Sequence, residues 1–295
     1  MSEELPATEA FSQRTALERL DIADCVGELV AVQERAIEAV AAAREAIAAA
    51  ARAAADAVAG GATWHTIGAG SSGRIAALDA VELHPTFGLD PRRICPHLAG
   101  GSAAFLGAVE GAEDDGAAGA RDVACVNPGD VAVALSASGR APYVIAALRA
   151  ARARGALAIA VANDRTAPLF AEADYAVYLA TGAEPLAGST RLIAGTAQKI
   201  ALNALSTAMM VALGKTYDNM MVDVVVTNEK LRDRAERIVM QAVPCRRDRA
   251  RDLLDRAAGA VKTAIAMAWL DSDARAAQDA LARNGGRLWE LRREA

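Results

Sequence analysis

Gly68-Ala69-Gly70-Ser71-Ser72-Gly73-Arg74 concentrates the residue types that hold an anion. Glycines let backbone N–H groups approach a ligand closely, and a helix starting just beyond them directs its positive end at that ligand. Ser71 and Ser72 add hydroxyl donors. A second turn, Ser136-Ala137-Ser138-Gly139-Arg140, repeats this chemistry with two hydroxyls, a glycine and a cation, and Gly188-Ser189-Thr190 is a third candidate. Bare N–H groups and hydroxyls suit a phosphate. Two carboxylates stand nearby in sequence: Glu82, and Glu113 in the run Glu110-Gly111-Ala112-Glu113-Asp114-Asp115. A base and an acid beside one phosphate pocket suit proton transfer at a sugar carbon.

Each feature also has a plainer reading. The first loop is a tight turn, Ser138 caps a helix starting at Ala141, and Gly188-Ser189-Thr190 opens the long helix that follows. Glu82 is a solvated residue near a loop, since Pro85 ends its helix, and Glu113 belongs to a charged turn in which Asp115 caps the next helix. Gly68-x-Gly70-x-x-Gly73 formally matches a dinucleotide loop. That loop requires an acidic residue at the end of the second strand, which here reads Ile94-Cys95-Pro96-His97-Leu98-Ala99. The missing acid and the two crowding serines favour a phosphomonoester. Cys25, Cys95, Cys125 and Cys245 lie far apart, so neither a disulfide framework nor a metal site follows from their spacing with His65, His84 and His97. His65, inside a strand, reads as structural, and His84 lies beside the possible site. No metal and no organic cofactor is expected.

These residues need a scaffold. Short apolar runs recur at Thr63–Ile67, Ile94–Leu98, Val131–Leu135, Ala156–Val161 and Tyr175–Leu179, separated by helical segments that include Arg74–Val81 and Ala141–Arg152. Continuous apolar strands spaced by helices predict an α/β fold, a doubly wound five-stranded parallel sheet flanked by helices. Both serine turns then fall at carboxyl ends of strands, where such sheets bind ligands. Ahead of the sheet, an Ala-rich pattern from Leu17 to Ala59 predicts a long helix stopped by Gly60-Gly61. The expected organisation is an N-terminal helical segment (1–60), a sugar-phosphate domain (61–245) and a small C-terminal helical region (246–295). Net charge is −5, which favours neither nucleic acid nor an anionic membrane surface. No signal-peptide pattern or membrane-spanning run is evident, so the cytoplasm is the default compartment. An anionic ligand must therefore be held by local dipoles and a few cations.

Six segments, in order, carry a more specific resemblance: the Gly68–Arg74 loop; Asp79-x-x-Glu82-x-x-Pro85-Thr86-Phe87-Gly88; Ala108-Val109-Glu110-Gly111-Ala112-Glu113-Asp114-Asp115; Ser138-Gly139-Arg140-x-Pro142-Tyr143; Gly188-Ser189-Thr190-Arg191-Leu192-x-x-Gly195-Thr196-Ala197-Gln198-Lys199; and Leu213-Gly214-Lys215-x-Tyr217-x-Asn219-x-Met221-Val222-Asp223. Together they resemble the N-acetylmuramic acid 6-phosphate etherases, a branch of the sugar isomerase (SIS) superfamily. The resemblance implies cleavage of the lactyl ether at C3 of the phosphosugar, giving N-acetylglucosamine 6-phosphate and D-lactate. It implies that Glu82 handles the C2 proton and that Glu113 protonates the leaving oxygen or positions water. Gly70, Ser71, Ser72, Gly73, Ser136, Ser138, Gly139, Ser189 and Thr190 would hold phosphate and sugar hydroxyls. It also implies a homodimer with sites near the subunit interface. The chain departs from the family at Phe11-Ser12-Gln13-Arg14, where relatives carry Arg-Asn-Pro, at Leu83-His84, where they carry Cys-Pro, and at Pro96 in the second strand. The alternatives are a phosphosugar aldose–ketose isomerase and a non-catalytic sugar-phosphate sensor.

Overall fold

Five apolar runs become five strands in one sheet. In this computed structural model, which describes residues 6–11, 16–226 and 228–294, β1 (Trp64–Gly68), β2 (Ile94–Leu98), β3 (Val131–Ser136), β4 (Leu157–Ala162) and β5 (Tyr175–Tyr178) lie in the order β2-β1-β3-β4-β5. Every pairing is parallel. The helices are α1 (Ile22–Ala31), α2 (Glu34–Ala42), α3 (Arg44–Ala59), α4 (Gly70–Phe87), α5 (Ala103–Leu106), α6 (Gly116–Asp122), α7 (Pro142–Ala153), α8 (Ile193–Ala212), α9 (Glu229–Ala242), α10 (Arg247–Arg256), α11 (Val261–Leu270), α12 (Ala274–Arg283) and α13 (Leu288–Glu294). A two-stranded hairpin, β6 (Thr216–Tyr217) and β7 (Met220–Met221), follows α8.

Alternation along the strands sorts the core. Ile67, Ala132, Ala134, Ala158 and Ala160 pack with Tyr143, Val144 and Leu148 of α7 and with Val123 and Val126 after α6. On the other face, α3 meets β3, β4 and β5. Small alanines under one layer and branched Val131, Val133 and Ile159, all buried, follow from the period of two in a strand covered on both faces. Pro96 is tolerated because β2 is an edge strand, where one side of the ladder lacks a partner.

Two sequence expectations need correction. The predicted long helix from Leu17 to Ala59 is a short 3₁₀ turn (Leu17–Arg19) followed by α1, α2 and α3. The break at Gln33 has a local cause. Its side-chain Nε2 donates to the Leu29 carbonyl at 3.2 Å, and its backbone N–H is diverted to Val30 at 3.1 Å. A side chain has taken the i−4 acceptor that the backbone needs. The predicted stop at Gly60-Gly61 does form: Ala62 N–H bonds Ala57 and Gly61 N–H bonds Val58, with Gly61 at φ +104°, a Schellman closure. Second, Pro85 does not end α4. The helix continues through it to Phe87, and Gly88, at φ +67°, closes the last turn on His84. Glu82 therefore lies more than a turn inside the helix instead of at its end beside a loop.

Contacts divide the chain into two compact units. One comprises Met1–Ala80 with Arg92–Ser206, and the other Val81–Pro91 with Thr207–Ala295. This partition cuts across the expected segments 1–60, 61–245 and 246–295, because α9 and the hairpin group with the C-terminal helices. The first unit holds the sheet. The second is helical, with a core of Val239, Leu253, Leu254, Ala264, Ile265 and Leu288. Glu236, nearly buried there, is held by Arg247 and Arg251 at 2.9 and 2.7 Å.

Candidate active site

The order β2-β1-β3 reverses direction between β1 and β3, which opens a crevice at their carboxyl ends. The first two serine turns meet there. β1 ends at Gly68 and α4 starts at Gly70, leaving one residue to turn the chain. Gly70 has φ +52°, a conformation that favours glycine. A Cβ on Gly68 would lie 2.5 Å from the Gly73 Cα, and one on Gly73 would lie 2.4 Å from Leu98 Cδ1. These two glycines thus seat the first turn of α4 directly on the strand end. Gly73 is a packing residue and is not among those lining the cavity described next.

A cavity of about 260 Å³ is lined by Gly70, Ser71 and Ser72 from the start of α4, Ser136 and Ser138 from the end of β3, Gly188 and Thr190 from the third run, and the carboxylates Glu113 and Glu9. Its floor is the unsatisfied N-terminal end of α4, an anion site. The second turn is shaped by its own serines: Ser136 Oγ accepts from Gly139 N–H at 3.1 Å and Ser138 Oγ from Arg140 N–H at 3.2 Å. Gly139, at φ +66°, leaves no room for a side chain, since a Cβ would sit 2.3 Å from that of Ala167. It too shapes the turn without lining the cavity. Ser138 does not cap the following helix as the plainer reading expected; Ala141 is the N-cap residue and Pro142 takes the first helical position.

The third run also differs from its structural expectation. α8 begins at Ile193, and its first N–H groups, of Ile193 and Ala194, are taken by the fully buried Glu184 carboxylate at 2.8 and 2.9 Å. Burial raises the Glu184 pKa, and the two N–H bonds pull against that shift. Capping by Glu184 leaves Thr190 free to line the cavity, while Ser189 is half-buried outside the lining.

The charges around the cavity are not those expected. Arg74 is turned away and donates to the carbonyls of Ala104, Phe105 and Gly107. Arg140 donates to Thr166 Oγ1 at 3.1 Å. Among the described residues the lining contains no Lys or Arg. Such a lining offers an anion only neutral N–H and O–H donors and the helix end.

Glu113 is reached by the short segment before α6, whose N-cap is Asp115, as the sequence suggested, bonded to Ala118 N–H at 2.8 Å. Its backbone carbonyl accepts from Tyr143 N–H at 3.0 Å. The residue keeps solvent access, yet the protein around its carboxyl strips enough water to raise its pKa, and the Asp114 charge adds to the rise. Glu113 and Gly70 also border a second cavity of about 210 Å³, whose lining includes Arg74 with Ala99, Ala104, Ala108, Val109 and Ala112.

Glu9 lines the cavity but stands in no motif that the sequence singles out. It belongs to a 3₁₀ turn, Ala7–Glu9, anchored by the fully buried Thr8 and by Ala7 N–H donating to Asp164 Oδ2 at 2.8 Å. The carboxylate comes close enough to Gly188 that a Cβ there would lie 2.8 Å from its Oε2. Of the departing segment Phe11-Ser12-Gln13-Arg14, residues 12–14 lie outside the described residues. Glu82 is exposed, belongs to the part of α4 grouped with the second unit, and is not among the lining residues. His84 Nδ1 donates to the Leu89 carbonyl at 2.9 Å, so this ring nitrogen carries the proton.

The SIS domain family matches residues 108–208, and the glucokinase regulatory protein N-terminal SIS domain family matches residues 43–152. A Deinococcus radiodurans protein named N-acetylmuramic acid 6-phosphate etherase is 54% identical over 222 residues, 75% of this chain and 73% of that one. A Gloeobacter violaceus protein of the same name is 45% identical over 296 residues, covering 98% of this chain and 97% of its own. The chain belongs to the N-acetylmuramic acid 6-phosphate etherase family. Among solved structures it is similar to a phosphoheptose isomerase from Francisella tularensis, with 18% identity, a TM-score of 0.49, and 65% of this chain and all of that one covered. Membership of the etherase family gives a chemical context to a serine-lined cavity at a helix N-terminus, with no Lys or Arg among its described lining residues and a carboxyl of raised pKa at its edge.

Proposed function

We infer that this chain is an etherase that converts N-acetylmuramic acid 6-phosphate and water to N-acetylglucosamine 6-phosphate and D-lactate. The observation that carries this reading is the near full-length identity to the Gloeobacter violaceus etherase. The reaction follows from the residues at hand. The open-chain sugar presents a C1 aldehyde, which acidifies the C2 proton. Glu82 removes that proton, and the electron pair forms the C2–C3 double bond as the C3–O bond breaks. Glu113, holding its proton to higher pH than an ordinary carboxyl, gives it to the departing lactyl oxygen. Water then adds its oxygen to C3, and a proton returns to C2. The position of Glu113 at the border of both cavities suits a group acting between sugar phosphate and leaving lactate.

Phosphate is assigned to the α4 end with Ser71, Ser72 and Thr190, and to the β3 turn with Ser136 and Ser138. Gly70 frees the N–H approach, Gly73 and Gly139 keep the turns tight, and Ser189 supports Thr190 from outside the lining. Ser72→Ala should weaken phosphosugar binding by roughly 1.5–3 kcal/mol, the range for a hydrogen bond to a charged group. Isothermal titration with N-acetylglucosamine 6-phosphate measures it, and an unchanged Kd contradicts the assignment.

The enzyme acts as a cytoplasmic homodimer in cell-wall sugar recycling, with Glu82 supplied to each cavity by the second copy. Apolar surface supports the dimer. Helix α1 buries none of its residues, yet Ile22, Val26 and Val30, at i, i+4 and i+8, are 81%, 55% and 66% exposed. Leu78 and Val81, beside Glu82 on α4, are exposed too. Such a stripe normally faces a partner. Mixing unfolded and refolded Glu82→Ala and Glu113→Ala chains should restore about a quarter of wild-type activity, since half the dimers are mixed and each has one intact site. No recovery would mean that both glutamates serve from one chain. Release of D-lactate from the muramic acid phosphate, assayed enzymatically, tests the activity itself; aldose–ketose conversion without lactate would favour the isomerase.

A further inference from the structure

Outside the candidate active site, four soft or imidazole donors converge on the sheet face covered by α6 and α7. We propose that His65, Cys95, His97 and Cys125 bind one zinc ion as a closed structural site.

One ligand atom from each residue lies within 4.8 Å of the other three. The fold explains why. Parallel register places Cys95 beside His65, and His97 follows two residues later on the same face of β2. Cys125 arrives from the turn after α6. Two of the six edges approach those of a tetrahedron, and the others are no longer than 4.8 Å. His65 Nδ1 and His97 Nε2 are 3.0 Å apart, and the Cys95 and Cys125 sulfurs 4.0 Å. Zinc bonds of about 2.0–2.1 Å to nitrogen and 2.3 Å to sulfur imply tetrahedral edges of about 3.3 and 3.8 Å. Small side-chain shifts close both gaps.

The surroundings select the ligating nitrogen. Asp130 Oδ2 lies 3.3 Å from His65 Nε2, and the carboxylate is fixed by Thr63 N–H at 2.7 Å and Asn127 N–H at 2.8 Å. An anchored carboxylate holds the proton on Nε2 and leaves the Nδ1 lone pair for the metal, the usual outer partner of a zinc-bound histidine. Two thiolates with two imidazoles in tetrahedral array select zinc among common divalent ions. His65 and His97 are buried while Cys125 is exposed, which gives the ion an entry path. Four protein ligands leave no open position, so the ion ties edge strand β2 to β1 and to the α6–β3 turn and takes no part in the reaction.

The test uses the full chain, stripped with chelator and kept reduced, then titrated with zinc or cobalt(II). One zinc per chain should survive desalting, measured by elemental analysis. Cobalt(II) should give the intense visible bands of a tetrahedral site with thiolate charge transfer in the near ultraviolet. Cys125→Ser should remove those bands while keeping the circular dichroism spectrum, and Asp130→Asn should weaken zinc affinity about 10–100-fold. Failure of the wild-type chain to retain zinc, a six-coordinate cobalt spectrum, or stoichiometric binding that persists in both Cys95→Ser and Cys125→Ser would overturn the proposal. The wild-type measurements decide the question even if a variant misfolds.

Discussion

Glu82→Ala is expected to lower the rate of D-lactate release by about 10²–10⁴-fold, the range associated with loss of a positioned general base. Binding of N-acetylglucosamine 6-phosphate should change little, because the lining of the cavity proposed for the phosphate does not include Glu82. The variant should also lose exchange of the product's C2 proton with deuterated water, a reaction that needs the base but no leaving group. That second readout separates a base from a residue that merely shapes the surface around it. An exposed side chain on a well-formed helix makes a folding defect an unsuitable explanation for the loss. Near-normal turnover in Glu82→Ala would sink the assignment.

Glu113→Gln should cost a comparable factor in lactate release, with a distinct signature. Glutamine keeps the shape and loses the proton, so a substrate analogue whose leaving group departs without protonation should recover most of the rate. The pH profile tests the same role. Burial and the Asp114 charge hold the Glu113 pKa above its ordinary value. An acid must be protonated to act, so the alkaline limb of kcat/KM should report this raised pKa. Asp114→Asn removes a negative neighbour, which makes ionisation of Glu113 easier. The proton is then lost at lower pH, and the alkaline limb should move to the acid side. A limb that stays in place, or moves the other way, would show that Glu113 is not the titrating acid.

The absence of cations from the described cavity lining has a physical consequence for specificity. N–H and hydroxyl donors around the end of α4 would recognise an anion by geometry, and would act on a dianion without a compensating local charge. Glu9 and Glu113 make the cavity less welcoming to further anions while offering acceptors to sugar hydroxyls. Glu9 therefore suits a hydroxyl-orienting part, set by a buried threonine and one backbone bond.

Much of this was written in local patterns. The five strands were legible because each is a continuous apolar run bounded by turn residues, and their burial on both faces is what such runs require. The two serine turns were legible because glycine and serine at strand ends have few other uses at that density. The Gly60-Gly61 closure and the Asp115 cap were legible because caps act within a few residues. The etherase family was legible because its motifs recur in order along the chain.

What needed the tertiary structure is long-range by nature. The break at Gln33 depends on one side chain competing for one carbonyl, which helix propensity does not register. Pro85 reads as a stop, yet α4 carries it because the proline sits in the last turn, where Gly88 closes the helix. Glu184 caps α8 from nine residues away, displacing the serine and threonine that local rules chose. Glu9 joins the cavity only because Thr8 finds a buried seat. The four zinc-ligand candidates show no metal spacing in sequence, since 32 residues separate His65 from His97 and 30 separate Cys95 from Cys125. Parallel pairing of β1 with β2 brings three of them onto one face, and the turn after α6 adds the fourth. The sequence alone determined where the strands and serine turns lie and which family the chain belongs to, because those signals are local or recur in order; strand order and register decided which side chains share a space.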